Sequence, residues 1–182
     1  MGLLTFALNV TLDGCCDHRA GIADDEMHSY WTRLMDSTGA MLFGRTTYEM
    51  MEEAWPQVVR DPKADPASRR WAKKLNAKPK YVVSKKRRDY PWENTHHIEG
   101  DLTRAIKRLK KANPRGVMVG SPKLSAALQR LDLIDEYIFL VHPVVAGHGP
   151  YLLSGLKPSR HLKLVSAKHL KSGIMVLRYR RR

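Results

Sequence analysis

Short apolar runs that alternate with helical patterns constrain the fold of this chain more than any other feature. Leu4 to Val10 alternates apolar and polar residues, which is typical of a β-strand. Further strand patterns follow at residues 40–43, 80–84, 94–98, 116–119 and 136–141. Helical patterns separate them, at residues 25–37, 46–55, 67–75, 101–112 and 122–130. This order predicts a largely parallel sheet flanked by helices.

The chain ends differently, with two strand patterns and no helix between them. Residues 162–167 and 174–179 are separated by a basic segment that ends in Ser172-Gly173, which predicts an antiparallel β-hairpin. A length of 182 residues suits one domain. The prediction is therefore a single α/β domain over residues 1–182, with a mostly parallel central sheet and a C-terminal hairpin.

The net charge of +14 admits three interpretations. The basic residues could neutralise nucleic-acid phosphates, attract a small polyanion such as NADPH, or form a solvated surface. They fall in four blocks, at residues 69–74, 85–88, 107–111 and 178–182. Two blocks lie on predicted helices, as polar faces would, and aromatic residues are only 8% of the chain. We therefore expect no nucleic-acid partner, although the run Arg178 to Arg182 keeps that alternative open.

Other compositional features restrict the location and the chemistry. No apolar run approaches the ~20 residues of a membrane span, so we expect no membrane partner. Residues 1–10 lack the pattern of a signal peptide, which makes the cytoplasm the expected compartment. The adjacent Cys15 and Cys16 are expected to be free thiols in a loop. The histidines show no metal-binding spacing, so no metal site is predicted.

The first segment with functional chemistry follows the strand pattern at residues 40–43. Gly44 allows a ligand to approach the backbone, and Arg45 offers a bidentate phosphate donor. Thr46 and Thr47 open a helix, whose first amides and positive dipole end favour an anion. An ordinary strand–helix turn with an exposed arginine explains the same residues equally well.

Two more strand ends carry similar residues. Ser84 and Lys85 lie at the carboxyl end of the strand pattern at 80–84, and Gly120-Ser121 lies between a strand and a helix. Each site alone is ambiguous, but ligands of open α/β sheets bind at the carboxyl ends of the strands. Three such sites predict one extended anionic ligand, such as a dinucleotide. Arg45 and Lys85 would suit a 2′-phosphate, which favours NADPH over NADH.

The ordered set of motifs resembles the dihydrofolate-reductase-like superfamily, in particular the reductase domain of the bifunctional riboflavin-biosynthesis deaminase/reductase and its stand-alone bacterial relatives. The matching segments are the first strand running into Leu12-Asp13-Gly14, then Phe43-Gly44-Arg45-Thr46-Thr47-Tyr48-Glu49, Val82-Val83-Ser84-Lys85, Val119-Gly120-Ser121, and the stretch from Leu128 through Ile134-Asp135-Glu136 to Pro143–Leu152. The resemblance extends over nearly the whole chain. It implies an NADPH-dependent reductase and a homodimer.

The resemblance also assigns residues to the cofactor. It implies that Gly44, Arg45, Thr46 and Thr47 hold the phosphates, and that Ser84 and Lys85 contact the adenosine side. Gly120, Ser121 and Leu124 match the pyrophosphate loop. Backbone near Ala7 would face the nicotinamide, and Gly147 and Gly149 would shape the loop beside the pocket.

The proton donor departs from the family pattern. Dihydrofolate reductases carry an acidic residue on the first helix, and the spacing back from Gly44 reaches His28, with Glu26 nearby. Asp13 matches the Leu-Asp-Gly motif of the riboflavin-type relatives. Asp13, Glu26 and His28 are therefore the candidate catalytic residues, with water as an alternative. The expected activity is hydride transfer to a C=N or carbonyl of a pterin, pyrimidine or related heterocycle. The alternative is a non-catalytic nucleotide- or nucleic-acid-binding protein on the same fold.

Overall fold

A computed structural model describes residues 1–156 and 159–182. Its strands are β1 (Leu4–Thr11), β2 (Ala40–Gly44), β3 (Lys80–Val83), β4 (Thr95–Ile98), β5 (Val117–Val119), β6 (Glu136–His142), β7 (Leu162–His169) and β8 (Met175–Arg181). Its helices are α1 (Asp25–Ser37), α2 (Arg45–Ala54), α3 (Pro66–Ala77), α4 (Leu102–Ala112) and α5 (Pro122–Arg130).

All eight strands form one sheet in the order β4-β3-β2-β5-β1-β6-β8-β7. The six strands from β4 to β6 are parallel, whereas β8 runs antiparallel to both β6 and β7. The predicted parallel sheet with a C-terminal antiparallel hairpin is therefore confirmed. The order places β2, β5 and β1 side by side at the centre, and their carboxyl ends meet at one edge of the sheet.

Alternation along the buried strands divides the core into two layers. On β1, Phe6 packs on one face of the sheet, in a cluster with Ile106 of α4 and Leu128 of α5. Its neighbour Ala7 packs on the opposite face, in a cluster with Met35 of α1. Because successive strand residues point to opposite faces, each of these apolar strands supplies both layers. The layer that contains Ala7 also packs against the half-buried tryptophans described below.

The helix boundaries follow from the residues that cap them. Aspartates 24, 65 and 101 accept hydrogen bonds from first-turn amides of α1, α3 and α4. Helix α2 begins at Arg45, one residue before the predicted start, because Gly44 is its N-cap. Helix α3 extends from Pro66 to Ala77, beyond the predicted residues 67–75 at both ends.

One basic residue departs from the polar face predicted for residues 107–111. Lys110 is buried, and its amine forms an ion pair with Asp135, whose carboxylate also accepts the Leu4 amide at 2.7 Å. The pair joins α4 to the amino ends of β1 and β6. The prediction of a solvated lysine is therefore wrong at this position.

The C-terminal arginines are also engaged within the fold. Arg178 and Arg180 both donate to the buried carboxylate of Glu136, at 3.0 and 2.9 Å. Arg181 contacts Asp132 at 2.8 Å. These ion pairs account for much of the basic run at residues 178–182. No helix in the described ranges has the length and apolar character needed to cross a membrane.

Candidate active site

The central carboxyl edge of the sheet brings two of the predicted sites into direct contact. The Gly44 amide at the end of β2 donates to the Ser121 hydroxyl after β5, at 2.9 Å. Ser121 is 2% exposed, whereas Gly44 is half-buried, so only the acceptor side of this bond is fully buried. Leu124, one turn further along α5, lies 3.4 Å from the position of a Cβ built on Gly44. The β2–α2 and β5–α5 turns therefore form one connected unit.

Helices α2 and α5, which begin at this unit, differ from the other three described helices at their N-termini. Their N-cap residues, Gly44 and Ser121, make no side-chain hydrogen bond to the first-turn amides. Neither first turn contains an acidic residue. The amides and dipole ends of both helices therefore lack a carboxylate partner, which leaves them suited to an anionic ligand. Thr46 is exposed in the first turn of α2.

The two residues predicted to bind a 2′-phosphate, Arg45 and Lys85, differ in whether they already form an ion pair among the described residues. Arg45 contacts Glu49 one turn along α2, at 2.9 Å. Lys85 is exposed and forms no ion pair within the described residues. It lines a cavity of ≈ 360 Å³ together with Ser84. The Ser84 hydroxyl accepts the amides of residues 86 and 87 and so fixes the turn after β3.

A larger cavity of ≈ 410 Å³ opens beside the ends of β1 and β5. Ala7 and Gly120 form its sheet side, and Thr47 lies at its border with α2. Most of the remaining wall is aromatic or sulfur-containing, and it includes Trp31, Trp55 and Trp71 from three different parts of the chain. Trp55 and Trp71 meet edge to face, with ring centroids 6.3 Å apart. The sequence prediction named none of these three tryptophans as a site residue.

Asn9 organises the wall that α1 contributes. Its side-chain oxygen accepts the Trp31 indole N–H at 3.1 Å, and both residues line the cavity. The bond satisfies the polar atom of a half-buried indole and fixes the ring against β1. Asn9 was visible in the sequence only as a polar position in an alternating strand.

Asp13 lies beside the Gly-rich loop that follows β6. Its carboxylate accepts the Thr11 hydroxyl and the amides of Ala146 and Gly147, at 3.1 and 2.9 Å from the two nitrogens. These bonds, led by that from Thr11, lower the pKa of Asp13 to about 2. Asp13 is therefore ionised at neutral pH. Gly147 has a φ of +70°, a conformation that glycine adopts without steric cost.

The other two candidate catalytic residues lie elsewhere on or near α1. Glu26 accepts the Lys171 amide at 2.8 Å and thereby ties α1 to the turn between β7 and β8. His28 is half-buried one residue after the inward-facing Met27. Asp13, Glu26 and His28 are all absent from the residues that line the ≈ 410 Å³ cavity. Gly147 and Gly149 also lie outside it, in the loop after β6.

The segment between β1 and α1 contributes to the cavity wall and is held both by the loop after β6 and by the end of β6. Cys16 and His18 belong to the cavity wall, and the Cys16 amide donates to the Pro150 carbonyl at 2.8 Å. At the end of β6, the Ile22 amide donates to Nδ1 of the buried His142, at 2.9 Å. His142 thus fixes this segment to the end of β6.

The fold is that of a dihydrofolate-reductase-like α/β domain, with its candidate site at the carboxyl ends of the central strands. The chain belongs to the RibD C-terminal domain family, whose sequence profile matches residues 3–176. It is 27% identical to the uncharacterized protein YyaP of Bacillus subtilis (strain 168) over 179 residues, which cover 94% of this chain and 91% of YyaP.

Solved structures share the fold at lower identity. A candidate riboflavin biosynthesis protein from Shewanella sp. PV-4 has a TM-score of 0.75 and 18% identity, with 99% of each chain covered. A pyrimidine reductase-like protein from Corynebacterium diphtheriae has a TM-score of 0.70 and 12% identity, and the match covers all of this chain and 92% of that one. The third, from Thermotoga maritima, is a diaminohydroxyphosphoribosylaminopyrimidine deaminase/5-amino-6-(5-phosphoribosylamino)uracil reductase. It has a TM-score of 0.68 and 17% identity, and the match covers all of this chain and 57% of the bifunctional protein.

Proposed function

We propose that this protein is an NADPH-dependent reductase of a heterocyclic substrate. The observation that carries the proposal is the pair of helices without side-chain caps, α2 and α5, which are joined by the Gly44–Ser121 hydrogen bond at the central edge of the sheet. Family membership supports the same assignment, since RibD-type structural neighbours include a uracil reductase. The proposal includes action in the cytoplasm as a homodimer, as expected from the sequence.

The residues present fit a dinucleotide with an extra phosphate. First-turn amides of α2 and α5 would hold its pyrophosphate, and Thr46 would add a hydroxyl donor. Lys85, which is exposed and unpaired among the described residues, would contact the 2′-phosphate. Arg45 would need to exchange Glu49 for phosphate, so we assign it the smaller share of that contact.

Bound NADPH would supply the hydride, and the chain would position the acceptor carbon. Ala7 and Gly120, both small, line the cavity at the sheet and leave room for a planar ring beside them. One hydride adds to the carbon of a C=N or C=O bond, and one proton adds to its nitrogen or oxygen. Because Asp13 is ionised at neutral pH and Glu26 and His28 lie off the cavity wall, we propose that water donates this proton.

Titration of the full chain with NADPH, followed by cofactor fluorescence, tests the proposal. We expect saturable binding below ~100 µM, within the range of common Michaelis constants. Lys85→Gln should weaken NADPH binding several-fold and leave NADH binding unchanged. Lys86→Gln is the matched control, because Lys86 is equally exposed but does not line the cavity at Ser84. Absence of binding at ~100 µM NADPH would refute the proposed function.

A further inference from the structure

The wall of the ≈ 410 Å³ cavity is built without acidic residues, lysines or arginines. None of the 16 residues that line it, all within the described ranges, is Asp, Glu, Lys or Arg. Burial raises the pKa of the Cys16 thiol, so this side chain also stays neutral at physiological pH. His18 is the remaining titratable residue, and its side chain is 68% exposed at the rim. An anionic group inside the cavity would therefore meet no lysine or arginine in the wall, and its only possible cationic partner there would be a protonated His18 at the exposed rim.

Two cations near α2 and α3 are engaged with carboxylates. Arg87 donates to both oxygens of Glu52 on α2, at 2.7 and 3.0 Å. Its guanidinium also lies over the Tyr48 ring, 5.4 Å from the centroid. Lys74 of α3 forms an ion pair with Asp36 of α1. Recruiting either cation to a ligand phosphate would first break an existing pair.

The polar groups that remain in the wall are few, and two of them already have partners within the fold. The Asn9 side-chain oxygen already accepts the Trp31 indole. The Cys16 sulfur lies 3.1 Å from the Pro150 carbonyl oxygen. Thr47 leaves one hydroxyl at the edge of the cavity. A phosphate dianion placed here would exchange its hydration for a few neutral donors, such as the Asn9 amide and the Thr47 hydroxyl, without a lysine or arginine in the wall, which is unfavourable.

The apolar part of the wall is suited to a flat ring. Trp55 and Trp71 present a perpendicular pair of aromatic surfaces, and Trp31 presents a third. Methionines 41, 50, 51 and 118 fill the space between them. Methionine side chains are flexible and polarisable, so they can adapt to rings of different outline. A volume of ≈ 410 Å³ lies within the usual range for a small-molecule site.

We infer that the substrate of this chain is an uncharged, planar aromatic or conjugated ring system without a phosphate group. This inference rests on the proposed function, because it names the substrate of the same reductase site. It separates the chain from the Thermotoga maritima neighbour, whose named substrate, 5-amino-6-(5-phosphoribosylamino)uracil, carries a phosphoribosyl group. The cavity has the aromatic surface that a heterocycle needs, but it lacks the cations that a sugar phosphate needs.

Calorimetric titration with 2-naphthol and 2-naphthyl phosphate tests the inference, because the two probes share one ring and differ only in the phosphate. The full chain is titrated both alone and with saturating NADP⁺. We expect 2-naphthol to bind at least ten-fold more tightly than its phosphate in both conditions. Equal or tighter binding of 2-naphthyl phosphate would overturn the inference, as would binding of neither probe.

A charge introduced at the rim locates the effect in the cavity. Met50 is 39% exposed and lines the cavity, so Met50→Lys is tolerable and places a cation beside the ligand. We expect Met50→Lys to abolish the tighter binding of 2-naphthol over 2-naphthyl phosphate. Leu164→Lys, at a 52% exposed position on β7, should bind the two probes as the unchanged chain does. An unchanged preference in folded Met50→Lys would contradict the assignment. Failure of NADP⁺ to bind while the probes are still discriminated would refute the proposed cofactor but leave the ligand class intact.

Discussion

Ser121 connects the two turns of the candidate cofactor site, and its removal gives the sharpest test of that geometry. Ser121→Ala deletes the acceptor of the Gly44 amide, which is held at 2.9 Å beside a hydroxyl that is 2% exposed. A buried amide left without a partner costs about 1–3 kcal/mol. Because water can reach Gly44, which is only half-buried, we expect about 1–2 kcal/mol, at the lower end of that range.

Ser125 provides a matched control on the same helix. It is fully buried, and its hydroxyl finds no hydrogen-bond partner among the described residues. Ser125→Ala therefore removes an unsatisfied polar atom and should be neutral or stabilising. The two variants delete the same atom from the same residue type, four positions apart, and only at Ser121 does that atom accept a bond. Ser125 also lies inside α5, where alanine is the better helix former, which adds to the expected neutral or stabilising effect.

Thermal unfolding measures the difference between these variants. A chain of 182 residues unfolds with an entropy of about 0.4 kcal/mol/K, at about 2.1 cal/mol/K per residue. We therefore expect Ser121→Ala to lower Tm by about 3–5 °C and Ser125→Ala to leave it unchanged or raised. NADPH affinity should fall several-fold in Ser121→Ala alone. Equal Tm values for the two variants would refute the role assigned to the Gly44–Ser121 bond.

Three further changes test other parts of the structure. Lys110→Met leaves the Asp135 carboxylate without its ion pair and should lower the unfolding free energy, measured in urea, by about 3–5 kcal/mol. The double variant with Asp135→Asn should recover part of this loss. If the free-energy changes of the two single variants simply add in the double variant, the pairing is contradicted. Burial lowers the pKa of His142 below 6.5, with Asp24 opposing the shift, so the unfolded chain binds the proton more readily and stability should fall as the pH drops below about 6.5. His142→Gln should weaken that pH dependence, and an unchanged pH profile would exclude His142 as its source. Asp13→Asn offers one oxygen where the carboxylate offered two, so the Gly147 amide should exchange faster with deuterium, and unchanged exchange would argue against this anchor.

The sheet and most helix limits could be predicted because they depend on local patterns. Periodicity of two identified β1, and the aspartates at positions 24, 65 and 101 lie within a few residues of the amides they accept, so each of these helix starts depends on a local contact. Strand ends are equally local, which is why Gly44 and Ser121 could be named as neighbours in function before their contact was known. Their hydrogen bond spans 77 residues, and no short-range pattern encodes such a distance.

Long-range partners explain what the sequence did not reveal. Lys110 lies within a basic block, but its position next to Leu109 turns it toward Asp135, 25 residues later in the chain. Trp31 and Trp71 lie on different helices, and only packing of α1 and α3 on the same face of the sheet makes them share a cavity. Aromatic residues on helices are usual core formers, so their role as cavity wall depends on the tertiary arrangement.

The position of the proton donor shows how sensitive a site prediction is to helical phase. Successive helix residues are rotated by about 100°, so an error of one residue moves a side chain from the cavity to the flank. On α1, the inward positions are occupied by Met27, Trp31 and Met35, and His28 follows the first of them by one residue. The α1 residue in the cavity wall is thus an indole held by Asn9 rather than an acid. If hydride transfer takes place here as proposed, this wall can orient and enclose a neutral ring, and the proton must enter with solvent.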